Sequence, residues 1–206
     1  TGVQTCALPI CWFGLLRPNH LHPPFDNPKA RQALALMVDQ TEYMQAAFGG
    51  GETCFSYFTC GSPFGTTAGS ESFRKPDYAR AKQLLAEAGY KGEKIVLLGA
   101  GDLFHHNAAA QVTAENLKKI GINVDLQMSD WGAVITRRGN KSNPYQGGYH
   151  IFQTFSDGVG GMFPGGMLTF NVGERGRPVA PVTATRFTPA CFNCTVVKSA
   201  VTSGVT

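Results

Sequence analysis

Residues 99–107 bring together side chains that can contact a ligand or a metal ion. They include Asp102, His105, His106 and Asn107, and they join a continuous apolar run to a helical pattern. In an open α/β sheet, ligands bind where the strands end and the helices begin. Imidazole is a common metal ligand, but two adjacent histidines usually point apart. We therefore expect either a ligand-contact loop, in which the helix N-terminus favours an anionic group, or a solvated loop.

The remaining motifs do not indicate catalysis. The glycines of "GAG" at 99–101 lack the third glycine of a dinucleotide fingerprint, and the chain has no G-x-S-x-G or H-E-x-x-H motif. His20 and His22 lack a third ligand nearby, so we interpret them as structural or exposed. Cys191 and Cys194 form a C-x2-C without a second pair. We expect no catalytic residue, no metal site and no cofactor.

The composition suits a globular domain of 206 residues, or one lobe of a larger protein. Its 43% hydrophobic and 16% charged residues are enough to form a core. No apolar stretch is long enough to span a membrane. The net charge of +4 comes mainly from the last part of the chain, because residues 11–173 hold 14 basic and 13 acidic side chains. This distribution argues against a nucleic-acid partner.

The hydrophobic periodicity predicts an α/β fold. Asn27, Asp39 and Asp130 are placed as N-caps of helices, and glycines follow several helical patterns as stop signals. The apolar run "KIVLL" is typical of a strand buried on both faces. Alternation of strands and helices predicts βαβ units and a mainly parallel sheet with flanking helices. The predicted helices cover 28–38, 40–48, 75–89, 107–121 and 131–138, and the predicted strands cover 94–98, 122–128 and 149–155.

Both ends of the chain differ from this pattern. Residues 1–10, "TGVQTCALPI", carry no charge and no periodicity, and they can be reverse-translated as a common DNA-sequencing adapter. We interpret them as an artefact outside the fold. Residues 174–206 are rich in Thr and Val without a clear period. We expect this tail to be poorly ordered and of doubtful reading frame, the alternative being a natural disordered or β-rich tail.

Four segments, taken in order, carry a resemblance to a known family. The chain resembles the peptide/nickel-type, family 5 extracytoplasmic solute-binding proteins of bacterial ABC importers over roughly residues 12–170. The resemblance implies that residues 11–173 form part of the second lobe of a two-lobed protein, with the first lobe and signal peptide outside this fragment. The segments are "PPFDNPKARQALALMVDQTEYMQAAFGG", "RKPDYARAKQLLAEAGYKGEKIVLL", "AENLKKIGINVDLQMSDWGAVITRR" and "YHIFQTFSDG".

The resemblance also implies a function and a site. It implies capture of a small, peptide-like solute in the periplasm or elsewhere outside the cytoplasm, and delivery to an ABC permease by a monomeric protein. Asp157 is expected to hold a ligand's amino group, with Phe155 as an apolar wall. Trp131 is expected to pack between elements first and to stack on a ligand second. Peptide-binding members often carry an Arg within the stretch corresponding to 99–107, and its absence here argues against simple dipeptides.

An extracytoplasmic location permits oxidation, so we expect Cys54 and Cys60 to form a disulfide across a loop of small residues. The alternative is a pair of buried free thiols. Two other functions remain open at this point. One is an α/β hydrolase-type enzyme with a catalytic residue in 99–107, and the other is the solute-sensing domain of a receptor.

Overall fold

The computed structural model describes residues 12–56, 58, 60, 62–157 and 185–186. Residues 1–10, most of the tail from 174, and Cys191 and Cys194 lie outside this part, so the predictions for them stay predictions. The helices are α1 (Pro28–Leu36), α2 (Gln40–Phe48), α3 (Tyr78–Glu87), α4 (Phe104–Lys119) and α5 (Trp131–Arg138), with a 3-10 turn at Glu71–Phe73. The strands are β1 (Trp12–Pro18), β2 (Lys94–Ala100), β3 (Asn123–Ser129), β4 (Ile151–Asp157) and β5 (Thr185–Arg186).

The strands form one sheet in the order β3-β2-β4-β1-β5. The three predicted strands are mutually parallel, because β2 pairs in parallel with both β3 and β4. The sheet is mixed as a whole, since β1 pairs antiparallel with β4 and with β5. The α/β class is therefore confirmed, with an antiparallel strand that sequence analysis does not predict. The segment "WFGLLRP" contains a glycine and a proline, which are depleted in strands.

Strand β2 is buried on both faces, as its apolar run predicts. Ile95 and Leu97 pack into the larger core, which α1, α3 and α4 cover on one side of the sheet. Val96 and Leu98 pack on the other side, against Val134 of α5 and their neighbours. The two crossovers, α4 after β2 and α5 after β3, thus cover opposite faces of the same strand.

The predicted caps fix where the helices begin. The side chains of Asn27 and Asp39 accept hydrogen bonds from backbone N–H groups two residues ahead, and Asp130 accepts from the N–H of Ala133 at 2.9 Å. The Asp77 carboxylate accepts from the N–H of Arg80 at 2.8 Å. This cap explains why α3 begins at Tyr78, three residues later than its helical pattern predicts.

A chain of buried polar side chains crosses the larger core. The Thr113 hydroxyl donates to Oε1 of Gln153 at 3.1 Å, and the Tyr43 hydroxyl lies 2.9 Å from Thr113 Oγ1. Because Thr113 has one proton to give, the Tyr43 hydroxyl is the donor in that pair. Burial raises the pKa of Tyr43, so the phenol stays neutral and keeps donating. This series of hydrogen-bonded side chains links α2, α4 and β4 through groups that have no access to water.

Replacing Thr113 with valine keeps the shape of the side chain and removes the centre of this polar chain. We expect Thr113→Val to lower the free energy of unfolding by about 1–3 kcal/mol, because Tyr43 and Gln153 each lose one hydrogen bond where water cannot replace it. Urea denaturation measures the effect. The matched control is Thr136→Val, whose hydroxyl bonds the Gly132 carbonyl on the exposed face of α5. Equal losses in the two variants would contradict the prediction.

Cys54 and Cys60 are joined by a disulfide in the structure, with their Cα atoms 6.2 Å apart. The backbone N–H of Cys54 donates to Oε1 of Gln40 at 3.1 Å, which ties the disulfide loop to the start of α2.

We expect mass spectrometry of unreduced protein from an oxidising compartment to show this pair oxidised. The double variant Cys54→Ser/Cys60→Ser should lose about 2 kcal/mol of stability, since the bond closes a short loop. The same variant compared under reducing conditions is the control, because both proteins then lack the bond. Two free thiols in the folded, unreduced protein would refute the pairing.

Candidate functional site

The three parallel strands end at one edge of the sheet, which we call the carboxyl edge. Ala100 of β2 pairs with Ser129 of β3, and β4 ends there at Asp157. Helices α4 and α5 begin just beyond the ends of β2 and β3, so their N-termini lie at the same edge. In open α/β sheets this is the edge that faces ligands. The carboxyl edge is therefore the candidate site.

The predicted loop over 99–107 is wrong in extent. Strand β2 continues to Ala100, and only residues 101–103 connect it to α4, which begins at Phe104. His105, His106 and Asn107 therefore lie in the first turn of a helix. Leu103 is the N-cap residue and makes no side-chain cap. Without a Ser, Thr, Asp or Asn at that position, the sequence gives no signal for the true start of α4.

His106 is the centre of an aromatic cluster at the carboxyl edge. Its ring centroid lies 4.9 Å from Trp131 of α5 and 5.1 Å from Phe155 of β4. The side chain is 6% exposed. Burial lowers the pKa of His106, and the neighbouring His105 lowers it further, while Asp102 acts in the opposite direction. The structure thus brings Trp131 and Phe155 together around an imidazole that favours its neutral form.

His105 joins the same aromatic cluster through its contacts with residues of α2. Its Nδ1 lies 2.6 Å from the carbonyl oxygen of Ala47, and its ring stacks on Phe48 with centroids 4.4 Å apart. Phe48 in turn meets Phe155 edge-on at 5.8 Å. His105 and His106 therefore point to different neighbours, as expected for adjacent histidines. Sequence analysis does not find Phe48, because a single aromatic residue at the end of a helix carries no functional signal.

Asp102 and Asn107 hold the connection between β2 and α4. Oδ1 of Asp102 accepts from the backbone N–H of Trp131 at 2.9 Å, at the start of α5. Nδ2 of Asn107 donates to the carbonyl of Gly101 at 3.1 Å, and its Oδ1 accepts from Gln111. These bonds give both residues structural roles, and direct contact of either with a ligand remains a prediction.

Asp157 is the last residue of β4, where its backbone pairs with Trp12 of β1. Its backbone thus lies at the carboxyl edge, while its side chain and the residues that follow lie outside the described part. The segments 99–107 and 128–133 contribute two aspartates to this edge and no lysine or arginine. The charged groups of these two segments are therefore acidic.

Within the described residues, no three His, Cys, Asp or Glu side chains are grouped as a metal site requires. Among the helices of the same part, none combines the length and the apolar character needed to cross a bilayer.

Residues 9–170 match the model of the bacterial extracellular solute-binding proteins, family 5, middle region. The chain belongs to this family. The resemblance seen in the sequence is thus confirmed, and the α/β structure described above is part of the fold of a family 5 solute-binding protein.

Known relatives agree with the assignment. A probable peptide ABC transporter periplasmic-binding protein of Sinorhizobium fredii is 44% identical over 147 residues, which are 68% of this chain and 27% of that protein. The chain thus spans about a quarter of the length of that curated relative. The substrate-binding protein CtaP of Listeria monocytogenes shares the fold, with a TM-score of 0.67 at 21% identity over 80% of this chain and 33% of CtaP.

A second solved structure is a dipeptide-binding protein of Pseudoalteromonas sp. SM9913 in complex with Met-Leu. It has a TM-score of 0.58 and 27% identity, and the match covers 72% of this chain and 29% of that one.

The buried His106 predicts acid sensitivity of this family 5 lobe. Below the ordinary histidine pKa of 6.5, the unfolded chain binds a proton that the folded lobe resists, so the free energy of unfolding falls as the pH drops. We expect His106→Phe to reduce this pH dependence without abolishing it, because burial also lowers the pKa of His20 and His150 to about 4.

Urea denaturation between pH 7 and 4 measures the dependence. The control is Phe48→Leu, which removes a ring from the same cluster but no titrating group. It should lower the stability at every pH and leave the pH dependence unchanged. An unaltered pH dependence in His106→Phe would contradict the prediction.

Proposed function

We propose that this chain is part of an extracytoplasmic binding protein that captures a small, peptide-like or related solute and delivers it to an ABC importer. The match of residues 9–170 to the family model carries the proposal. The name of the S. fredii relative, a probable peptide ABC transporter periplasmic-binding protein, supports both the importer and the location. The family consists of solute-binding proteins, which argues against the hydrolase alternative.

The solute lies against the carboxyl edge in this proposal. Trp131 and Phe155 supply ring surfaces on either side of His106, and such surfaces favour an apolar or aromatic part of a solute. Asp157 holds the amino group of the solute. The acidic character of segments 99–107 and 128–133 supports a cationic rather than an anionic group at this edge.

The first backbone N–H groups of α5 also support a cationic rather than an anionic group at this edge. Asp130 and Asp102 accept from the N–H groups of Ala133 and Trp131, so two donors at that N-terminus are already paired with carboxylates. An anionic ligand would have to displace them. An amine at Asp157 therefore has more support than an anion at the start of α5, and the expectation that the helix after residues 99–107 favours an anionic group stays a prediction.

One lobe contacts a solute on one side only. The longer protein supplies the first lobe, which closes over the solute by a hinge motion, and a signal peptide that directs it out of the cytoplasm. The monomeric protein then presents the closed form to the permease. The solute-sensing receptor domain would use the same lobe and differs only in what the longer gene encodes beyond it.

The proposal is tested by isothermal titration calorimetry on the longer protein and on this chain, with a panel of di- and tripeptides. We expect this chain alone to bind any peptide about a thousandfold more weakly, because loss of one wall removes roughly half of a micromolar binding free energy, about 4 kcal/mol. Equal affinity of the two proteins would overturn the two-lobe interpretation.

The role of Asp157 is tested in the longer protein. Asp157→Ala should weaken the binding of a peptide with a free amino terminus, since an unpaired ammonium in a closed cleft is costly. The affinity for the N-acetylated form of the same peptide should stay unchanged. Asp26→Ala removes the same charge from an exposed position in the loop before α1 and is the matched control. If Asp157→Ala binds both peptides like the unaltered protein, Asp157 is not part of the site, and the family assignment is unaffected.

A further inference from the structure

A second group of aromatic and charged side chains lies at the opposite edge of the sheet, near the start of β4. Arg17 of β1 and Phe152 of β4 are register partners. The guanidinium carbon of Arg17 lies 5.2 Å from the centroid of the Phe152 ring, and Phe152 meets Tyr149 edge-on at 5.7 Å. The three side chains thus form one contiguous group on the side of the sheet that α5 covers, with the Phe152 ring buried.

The guanidinium of Arg17 is partly buried, and among the described residues no carboxylate pairs with it. Its Nε is buried and makes no hydrogen bond. The ion pairs within the described residues involve neither Arg17 nor Arg138. Burial lowers the pKa of Arg17, and Arg138 lowers it further. A partly desolvated cation that lacks a counter-charge is unfavourable, and an anion would relieve the cost.

Arg138 lies on the same face of α5 as Val134, one turn further along, and Val134 packs in the core that holds Phe152 and Tyr149. The guanidinium of Arg137 donates to the carbonyl oxygens of Gly147 and Gly148 at 2.8–3.1 Å, which ties the end of α5 to the segment before Tyr149. Burial raises the pKa of Tyr149, and the charges of both Arg17 and Arg138 oppose that rise. Both guanidinium groups therefore act on the same phenol.

We propose that Arg17, Arg138 and Tyr149 form a binding site for an oxyanion, which is a carboxylate or a phosphate group. Arginine presents paired N–H donors that match the oxygens of such a group, and a tyrosine hydroxyl adds a third donor. The C-terminal end of α5 carries a partial negative charge of about half a unit. Two full positive charges outweigh it.

This oxyanion site is separate from the proposed solute site. Phe152 and Asp157 are five residues apart on β4, which is about 17 Å along a strand. Phe155 packs against the larger core, and Phe152 belongs to the smaller core on the other face of the sheet, against which Trp131 also packs at the carboxyl edge. Binding at the oxyanion site thus needs neither the carboxyl edge nor the first lobe.

The test uses this chain labelled with ¹⁵N and follows the arginine Nε–Hε resonances by NMR. Two probes are titrated separately, inorganic phosphate and a tetraglutamate peptide. We expect saturable shifts of the Arg17 resonance. Arg17→Gln and Arg138→Gln should each weaken binding about tenfold or more, as expected for loss of a charge-assisted hydrogen bond. Arg74→Gln, which removes an exposed arginine that is distant in sequence from both Arg17 and Arg138, should leave the affinity unchanged.

The outcomes separate the sources of the oxyanion. Shifts with the peptide alone assign the site to a carboxylate presented by a polypeptide, and shifts with phosphate alone assign it to a free anion. Shifts with both show that the group itself is sufficient. Circular dichroism confirms that the variants are folded. Arg17→Lys keeps the positive charge and removes the paired N–H donors, so its affinity shows which of the two the anion requires. The absence of saturable binding of either probe, or equal weakening in Arg74→Gln, would overturn the proposal.

Discussion

The burial of β2 on both faces is the constraint on which the rest of the lobe depends. A strand with apolar side chains on both sides must be covered by helices on both sides, and it must pair with a neighbour on each edge. Here β3 and β4 pair with it, and α4 and α5 cover its two faces. Because α4 and α5 each follow the end of a parallel strand, both helices begin at the same edge.

The close approach of α4 to β2 shows how tight this arrangement is. A Cβ atom at Gly99 would lie 2.6 Å from Sδ of Met128 and 2.7 Å from Cβ of Ala110. Glycine at this position therefore lets the helix lie directly on the strand. That contact in turn brings His106 to the carboxyl edge, where it packs against Trp131 and Phe155. The candidate site is thus a consequence of core packing and not of a loop built for a ligand.

The lobe has two ends with different electrostatic characters. The carboxyl edge carries aspartates and neutral rings, whereas the opposite end of β4 carries Arg17 and Arg138 beside Tyr149 and Phe152. Aromatic rings occur at both ends because they pack as apolar groups and also accept polar or charged neighbours at their edges and faces.

The sequence alone determined the five α-helices and the three parallel strands of the described residues, and the family of this protein. The caps at Asn27, Asp39 and Asp130 and the apolar run of β2 act locally, so their patterns predict the helices and the buried strand. Only the tertiary structure decided β1, the start of α4 at Phe104 and the grouping of Phe48, His106 and Phe155. The helix starts at an uncapped leucine, and the aromatic contacts join residues that are far apart in the chain, so no local pattern encodes either. They follow from the packing of helices on a shared strand, which exists only once the sheet has formed.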